Sequence, residues 1–227
     1  MMVEPLGLTA KPDPIENLKL VLENYDRIGI WLSGGADSAL GLYLLQLFNV
    51  KTRILPIHGF DTRRMEEGQT FHSDMATENV IKKIKELLPN KSHLLYNVHS
   101  FEYFKKDGET KAKYHQPVED ALMEGGEIQV AINFVTKNPP RQLHPKQEPN
   151  RDNRVIKVNR PFATSDKRWV AGQYEKYGLL DSLFPLTVSC VGNRDTPCGS
   201  CFWCREKHWA FGAYDGGSPK LCEREVV

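Results

Sequence analysis

Ser33-Gly34-Gly35-Ala36-Asp37-Ser38 interrupts one apolar run, Arg27 to Leu32, and opens another that carries Leu40, Leu44, Leu45, Leu47 and Phe48. A short buried strand, a glycine turn and then a helix is the start of a βαβ unit, and that unit commits a chain to a parallel sheet. Glycines lack a Cβ, so Gly34 and Gly35 let the backbone turn sharply and come close to a ligand. The amides of such a turn, with those opening the next helix, make a concave set of N–H donors suited to a phosphate-sized anion. Ser33 and Ser38 can add hydroxyl donors. Asp37 repels phosphate by itself, but makes sense if it holds Mg²⁺ against the phosphates or caps the helix. A plain strand-to-helix turn, with Asp37 or Ser38 as the cap, is the simpler alternative. No Gly-Lys-Ser/Thr follows, so this is not a Walker A loop.

The rest of the chain extends the same alternation. Asp13-Pro14-Ile15-Glu16 supplies a cap, a first-turn proline and an acidic residue for a helix reaching about Tyr25. Residues 1–12 read as a loose arm. Further strands are expected at Thr52–Ile57, Ser92–Val98, Glu127–Val135 and Arg154–Val158, and helices at Thr70–Leu88, Pro117–Met123 and Asp166–Tyr177. His58–Gln69 reads as a polar loop, and the proline-rich, charged stretch Thr136–Asn153 as a surface loop, of the length that lids have and equally that of a tolerated insertion. The expected fold is α/β: a Rossmann-like, parallel five-stranded sheet with helices on both faces. Ligands in such sheets sit beyond the carboxyl ends of the strands, where Ser33–Ser38 falls.

Four of the five cysteines lie between Cys190 and Cys204, spaced Cys190-x7-Cys198-x2-Cys201-x2-Cys204. Gly192, Pro197 and Gly199 supply turns that can gather them. Four thiolates close a tetrahedral Zn²⁺ shell, the pattern of a structural site. An iron–sulfur cluster is also satisfied by four thiolates, and a redox Cys-x-x-Cys would leave two of them unexplained. Cys222 reads as an unpaired thiol. The domain expectation is a nucleotide-binding α/β unit over 1–180 and a zinc-binding module over 181–227 packed on it.

The chain has 227 residues and a formal net charge of +1 from 30 basic and 29 acidic side chains. That balance argues against a broad non-specific nucleic-acid surface. Met1-Met2-Val3-Glu4-Pro5 has neither the basic nor the apolar region of a secretory leader, and the longest apolar runs are too short to span a bilayer. A cytoplasmic protein without a membrane partner is the expectation.

The Ser33–Ser38 segment resembles the signature of the PP-loop ATP pyrophosphatases, a superfamily of adenine nucleotide alpha hydrolase-like fold. The resemblance implies ATP as substrate, with pyrophosphate released and AMP left on a carboxylate or carbonyl oxygen. Arg160-Pro161-Phe162-Ala163-Thr164-Ser165-Asp166-Lys167, Tyr177-Gly178-Leu179 and Thr187-Val188-Ser189-Cys190, with the three later cysteines, look like the C-terminal third of the 7-cyano-7-deazaguanine synthases of queuosine biosynthesis. That resemblance covers the turn and residues 154–212. It implies a 7-carboxy-7-deazaguanine that is adenylated, amidated with ammonia, adenylated again and dehydrated to a nitrile. It further implies zinc on Cys190, Cys198, Cys201 and Cys204, and makes Lys167 and Arg160 candidate contacts of the ATP phosphates. His58 and Asp61 are placed where adenosine or a metal can be reached, although a polar loop accounts for them equally. The superfamily often forms homodimers.

Two segments depart from the family. Lys111–Asp120 lacks its Pro-x-Arg-Asn element, and Asn133–Pro140 lacks its glycine-rich acidic segment. The substrate pocket is therefore left open. An adenylate can be captured by any amine held near it, so the same chemistry can join a deazapurine carboxylate to an amine of a protein or nucleic acid. A tRNA thiolase of the same superfamily is a further alternative, and a non-catalytic nucleotide-binding protein another.

Overall fold

The computed structural model describes residues 13–62, 72–103, 106, 112–140, 143, 159–190 and 196–219. The first helix, α1 (Pro14–Asn24), starts as the sequence expects: Asp13 Oδ1 accepts from the Ile15 amide at 2.7 Å, and Pro14 occupies the first turn. Its stripe Leu18, Val21, Leu22 is buried. Strand β1 (Arg27–Trp31) follows, then α2 (Ala36–Phe48), whose residues Ala36 and Ser38 to Gln46 are all buried. A helix apolar on every side belongs in the middle of a fold, and α2 packs against α1 and a later helix. Gly41 on α2 is needed there, because a Cβ at that position would lie 2.3 Å from the ring of Phe134.

Next come β2 (Arg53–Asp61), α3 (His72–Leu87), a 3-10 segment (Pro89–Leu94), β3 (His99–Tyr103), α4 (Ala112–Glu124) and β4 (Val130–Ile132). They are followed by α5 (Lys167–Lys176), a short 3-10 turn (Phe184–Leu186) and α6 (Phe202–Phe211). The four strands form one parallel sheet in the order β3-β2-β1-β4, with Ile28 level with both Ile54 and Val130. The chain adds strands to one side of β1 and then returns to its other side, so the switch point lies between β1 and β4. A crevice beyond their carboxyl ends is where such sheets take ligands.

Alternate residues serve the two faces. Ile28, Ile30, Ile54, Val130 and Ile132 join a large core with α1, α2, α5 and residues Leu179, Leu183, Phe184, Phe211 and Ala213. Trp31, Ile57, Ala131, Ile128 and Leu122 form a smaller core under α4 on the opposite face. Helices thus flank both faces, and no described helix is long and apolar enough to cross a membrane.

Four segments differ from the sequence reading. The strand expected at Ser92–Val98 is a 3-10 segment, because Pro89 opens a tight turn that Ser92 Oγ closes on the Pro89 carbonyl at 2.9 Å. Only Leu95 bridges to Ile54, and the true strand begins at His99. His58 to Asp61 is not loop but the end of β2, since its backbone pairs with Ser100 to Tyr103; ladder bonds are indifferent to polar side chains when a partner strand is present. The fourth helix starts at Ala112 and carries Pro117 inside it. The ladder of β4 is shorter than expected, with Gln129 still donating to the Arg27 carbonyl at 2.9 Å. The arm over 1–12, the expected fifth strand at Arg154–Val158, most of the Thr136–Asn153 loop and Cys222 lie outside the described residues.

Candidate functional site

The turn between β1 and α2 is built by its own side chains. Gly34 has φ +72°, a left-handed conformation that favours glycine. Ser38 Oγ donates to the Gly35 carbonyl at 3.1 Å and lies 3.2 Å from Ser33 Oγ, while the Ser33 amide points at Ser38 Oγ at 3.3 Å. The two hydroxyls therefore meet across the mouth of the loop. Gly35 caps α2 without a side chain, so no side-chain oxygen covers the first amides of a 13-residue helix.

Asp37 stands in the first turn of α2, and its Oδ2 accepts from Lys167 Nζ at 2.6 Å. Lys167 is the first residue of α5, whose start is fixed by Asp166 accepting from the Trp169 amide. Taken by its position alone, a first-turn lysine is as readily solvated as bound; here the side chain is 6% exposed, between Asp37 and Glu206 Oε2 at 3.6 Å. Glu206 itself is 1% exposed. One ammonium thus serves two carboxylates in a region of low dielectric, and Asp37 Oδ1 is buried without a hydrogen-bond partner. A buried carboxylate oxygen left over in the first turn of α2 fits a hard cation such as Mg²⁺, which takes carboxylate oxygens. Tyr174, fully buried, donates its hydroxyl to the Ala36 carbonyl at 3.0 Å and ties α5 to the same turn. Burial first, and the nearby Asp37 charge second, push its phenol well above the ordinary value.

Ala36 is buried in the helix start. Arg160 is half-buried on the segment before α5, and its charge is felt at Glu119 on α4. Glu119 accepts from the Trp31 indole N–H at the end of β1. Burial raises its pKa, with the Trp31 hydrogen bond and then Arg160 opposing. The His115 ring stacks on Trp31 at 3.8 Å between centroids. His115 and Glu119 of α4 therefore build a polar-aromatic wall with Trp31 at the end of β1. His58 lies in β2, 5% exposed, with Nδ1 2.6 Å from the Leu32 carbonyl. That bond places the proton on Nδ1 and makes His58 a brace of the strand end. Asp61 closes β2, half-buried.

Cys190, Cys198, Cys201 and Cys204 bring their sulfurs within 4.8 Å of one another. Three amides point at them: Cys198 N at Cys190 Sγ, Cys201 N at Cys198 Sγ and Cys204 N at Cys201 Sγ, at 3.3, 3.3 and 3.4 Å. Amide donors stabilise thiolate, and those of Cys201 and Ser200 lower the Cys198 thiol to about 6. Burial pushes the Cys204 thiol upward. No disulfide joins the four. Four converging sulfurs with N–H support fit a single metal ion and close its coordination shell.

Glu206, Lys207, Asp215, Glu119 and Trp31 were not singled out from the sequence. Arg205-Glu206-Lys207-His208 reads as a solvated charge run. The available signal was register: Cys204, Lys207 and Phe211 lie three and four residues apart, so they share one face of α6.

No protein-family model matches the chain, and no curated protein sequence matches it. Among solved structures it is similar to the NMN synthetase of Francisella tularensis, at 12% identity over 51% of this chain and 40% of that one, with a TM-score of 0.25. The chain thus aligns with about two fifths of that protein's length. A likeness this low fixes neither the fold nor the chemistry of the present chain.

Proposed function

We propose that the chain is an ATP-dependent, AMP-forming ligase that activates a carboxylate. The observation that carries this reading is the buried Asp37–Lys167 pair at the mouth of the 33–38 turn, with Asp37 Oδ1 left over. A substrate carboxylate oxygen attacks the α-phosphorus of ATP, the bond to the bridging oxygen breaks, and pyrophosphate leaves with the electron pair. A nitrogen nucleophile then attacks the acyl carbon and AMP departs. Amides of the turn, with Ser33 and Ser38, bind the phosphates. Lys167 offsets charge that grows on the leaving pyrophosphate, which is worth most where water is excluded. Asp37 would hold a Mg²⁺ ion, which would supply charge neutralisation at the phosphates. Cys190, Cys198, Cys201 and Cys204, with sulfurs within 4.8 Å of one another, would hold zinc as a structural ion, since four thiolates close its coordination shell.

The substrate we infer is a 7-carboxy-7-deazaguanine-like acid, with ammonia as acceptor, on the resemblance of residues 160–204. Glu119 and Arg160 at the end of β1 offer a carboxylate and a cation, suited to a purine's amino and acidic edges. Because α4 replaces the family's element there, an amine of a macromolecule remains the second acceptor we propose. Incubation with ATP, Mg²⁺, ammonium and 7-carboxy-7-deazaguanine is expected to release AMP and pyrophosphate in step with loss of the acid. AMP formation independent of the acid, or none at all, contradicts the substrate.

A further inference from the structure

Lys207 lies on α6 three residues past Cys204, and its side chain is 0% exposed. Its ammonium donates to the Thr187 carbonyl at 2.8 Å, to Thr187 Oγ1 at 2.9 Å and to Asp215 Oδ1 at 2.6 Å. Those three bonds use all three of its protons. Asp215 accepts in turn from the Ser189 and Cys190 amides at 2.9 and 2.8 Å. Between Thr187 and Ser189, the Val188 amide donates to the Gly34 carbonyl at 2.9 Å. The neighbouring residue on α6, Glu206, faces Lys167. A buried ion pair is weak evidence for stability, since apolar residues of similar volume often serve as well; its better-attested use is to fix a register.

We propose that Lys207 is a positioning residue that couples the four-cysteine metal site to the 33–38 turn. Cys190 ends one of the two segments that Lys207 joins, the stretch from Thr187, and Cys204 sits on the other, α6. With an ion bound, both segments are fixed, and residues 187–189 hold Gly34 in its left-handed turn. Without it, α6 is free to shift against Thr187, and the turn loosens together with Glu206 and Lys167. Metal and nucleotide then bind with a shared coupling, and each must strengthen the other by the same factor. Only this nucleotide arm rests on the function proposed above; the coupling of metal site to turn does not.

The test compares zinc-loaded and chelator-stripped full-length protein, with Lys207→Met, Lys207→Arg and Val188→Pro, by hydrogen exchange of the peptide spanning Ser33 to Ala39. Stripping and Lys207→Met are each expected to speed exchange there about tenfold, with β2 unchanged and Lys207→Arg closer to wild type. Val188→Pro keeps every bond of Lys207 and removes only the donor to Gly34; it is expected to loosen the turn while the rate of zinc release to a chromophoric chelator stays at the wild-type value. In the nucleotide arm, MgATP raises the affinity for zinc, read by competition with a chromophoric chelator, by the factor by which zinc tightens MgATP. Unchanged exchange at the turn on stripping, or in Val188→Pro, overturns the proposal, as does a rise spread equally through β2 and α3. Absence of MgATP binding with the exchange differences intact sinks the nucleotide reading and leaves the coupling supported.

Discussion

Lys167 Nζ and Asp37 Oδ2 stand 2.6 Å apart, although 130 residues separate them in the chain. The contact joins the helix that follows the phosphate-type turn to the helix that precedes the cysteine segment. It is closed in by Tyr174 on one side and Glu206 on the other. A cation so held is preorganised, and an acid so held keeps one oxygen for another partner.

Replacing Lys167 by Met is therefore expected to lower kcat for AMP formation by about 100-fold, the scale of losing one preorganised donor in a dry site. Lys167→Arg retains the charge and should retain more of the rate. The same Met variant leaves Asp37 and Glu206 as uncompensated buried carboxylates, which costs about 3 kcal/mol of stability. Steady-state kinetics and urea unfolding check the two parts separately. An unchanged kcat would remove Lys167 from the chemistry.

Removing the metal is expected to act on the fold as well as the site. The cysteines bracket the start of α6, and Cys201 Sγ accepts from the Cys204 amide as its cap. Since α6 supplies Ala210 and Phe211 to the large core, chelation should lower the melting temperature by several degrees, about what 1–2 kcal/mol does in a domain of this size. One equivalent of zinc should be recovered per chain. Iron with a visible absorption band would replace zinc by a cluster.

Gly41→Ala tests how closely α2 packs on the segment after β4. The added methyl meets the buried Phe134 ring, and overpacking of this kind costs about 1–3 kcal/mol. Phe134→Leu in the same chain should recover part of the loss. Denaturant midpoints of the single and double variants give the coupling.

Tyr174→Phe removes the bond to the Ala36 carbonyl and should cost about 1 kcal/mol at neutral pH. Burial raises the folded phenol's pKa, so its contribution is complete below the unfolded value and is lost as pH climbs above about 10. The gap between wild type and Tyr174→Phe must therefore shrink on the alkaline side. Unfolding midpoints at pH 7 and pH 10.5 decide it.

Much of the frame is legible in the residues themselves. Asp13-Pro14 caps α1 where the sequence places it, and the apolar runs at 27–32 and 39–48 become β1 and α2 because few other states could bury them. The glycine turn lies at a strand's carboxyl end for the same reason. What the sequence hides is contact between distant segments. His58-Gly59-Phe60-Asp61 looks like loop until β3 lies alongside it, and Ser92–Val98 looks like strand until Pro89 and Ser92 close a tight turn. Lys167 looks solvated until Asp37 is 2.6 Å away. Lys207 sits in a run of four polar residues whose buried face appears only once Cys204 is turned inward. The cysteine spacing carried its own geometry; the charges that connect it to the turn did not.

The most direct test follows one oxygen atom. With the substrate carboxylate labelled by ¹⁸O, attack on the α-phosphorus and capture of the acyl group by an amine must leave one ¹⁸O in AMP. Label in AMP, together with unlabelled pyrophosphate, is the expected result. Label in inorganic phosphate with ADP as the nucleotide product, or AMP without label, contradicts adenylation of the acid by this chain.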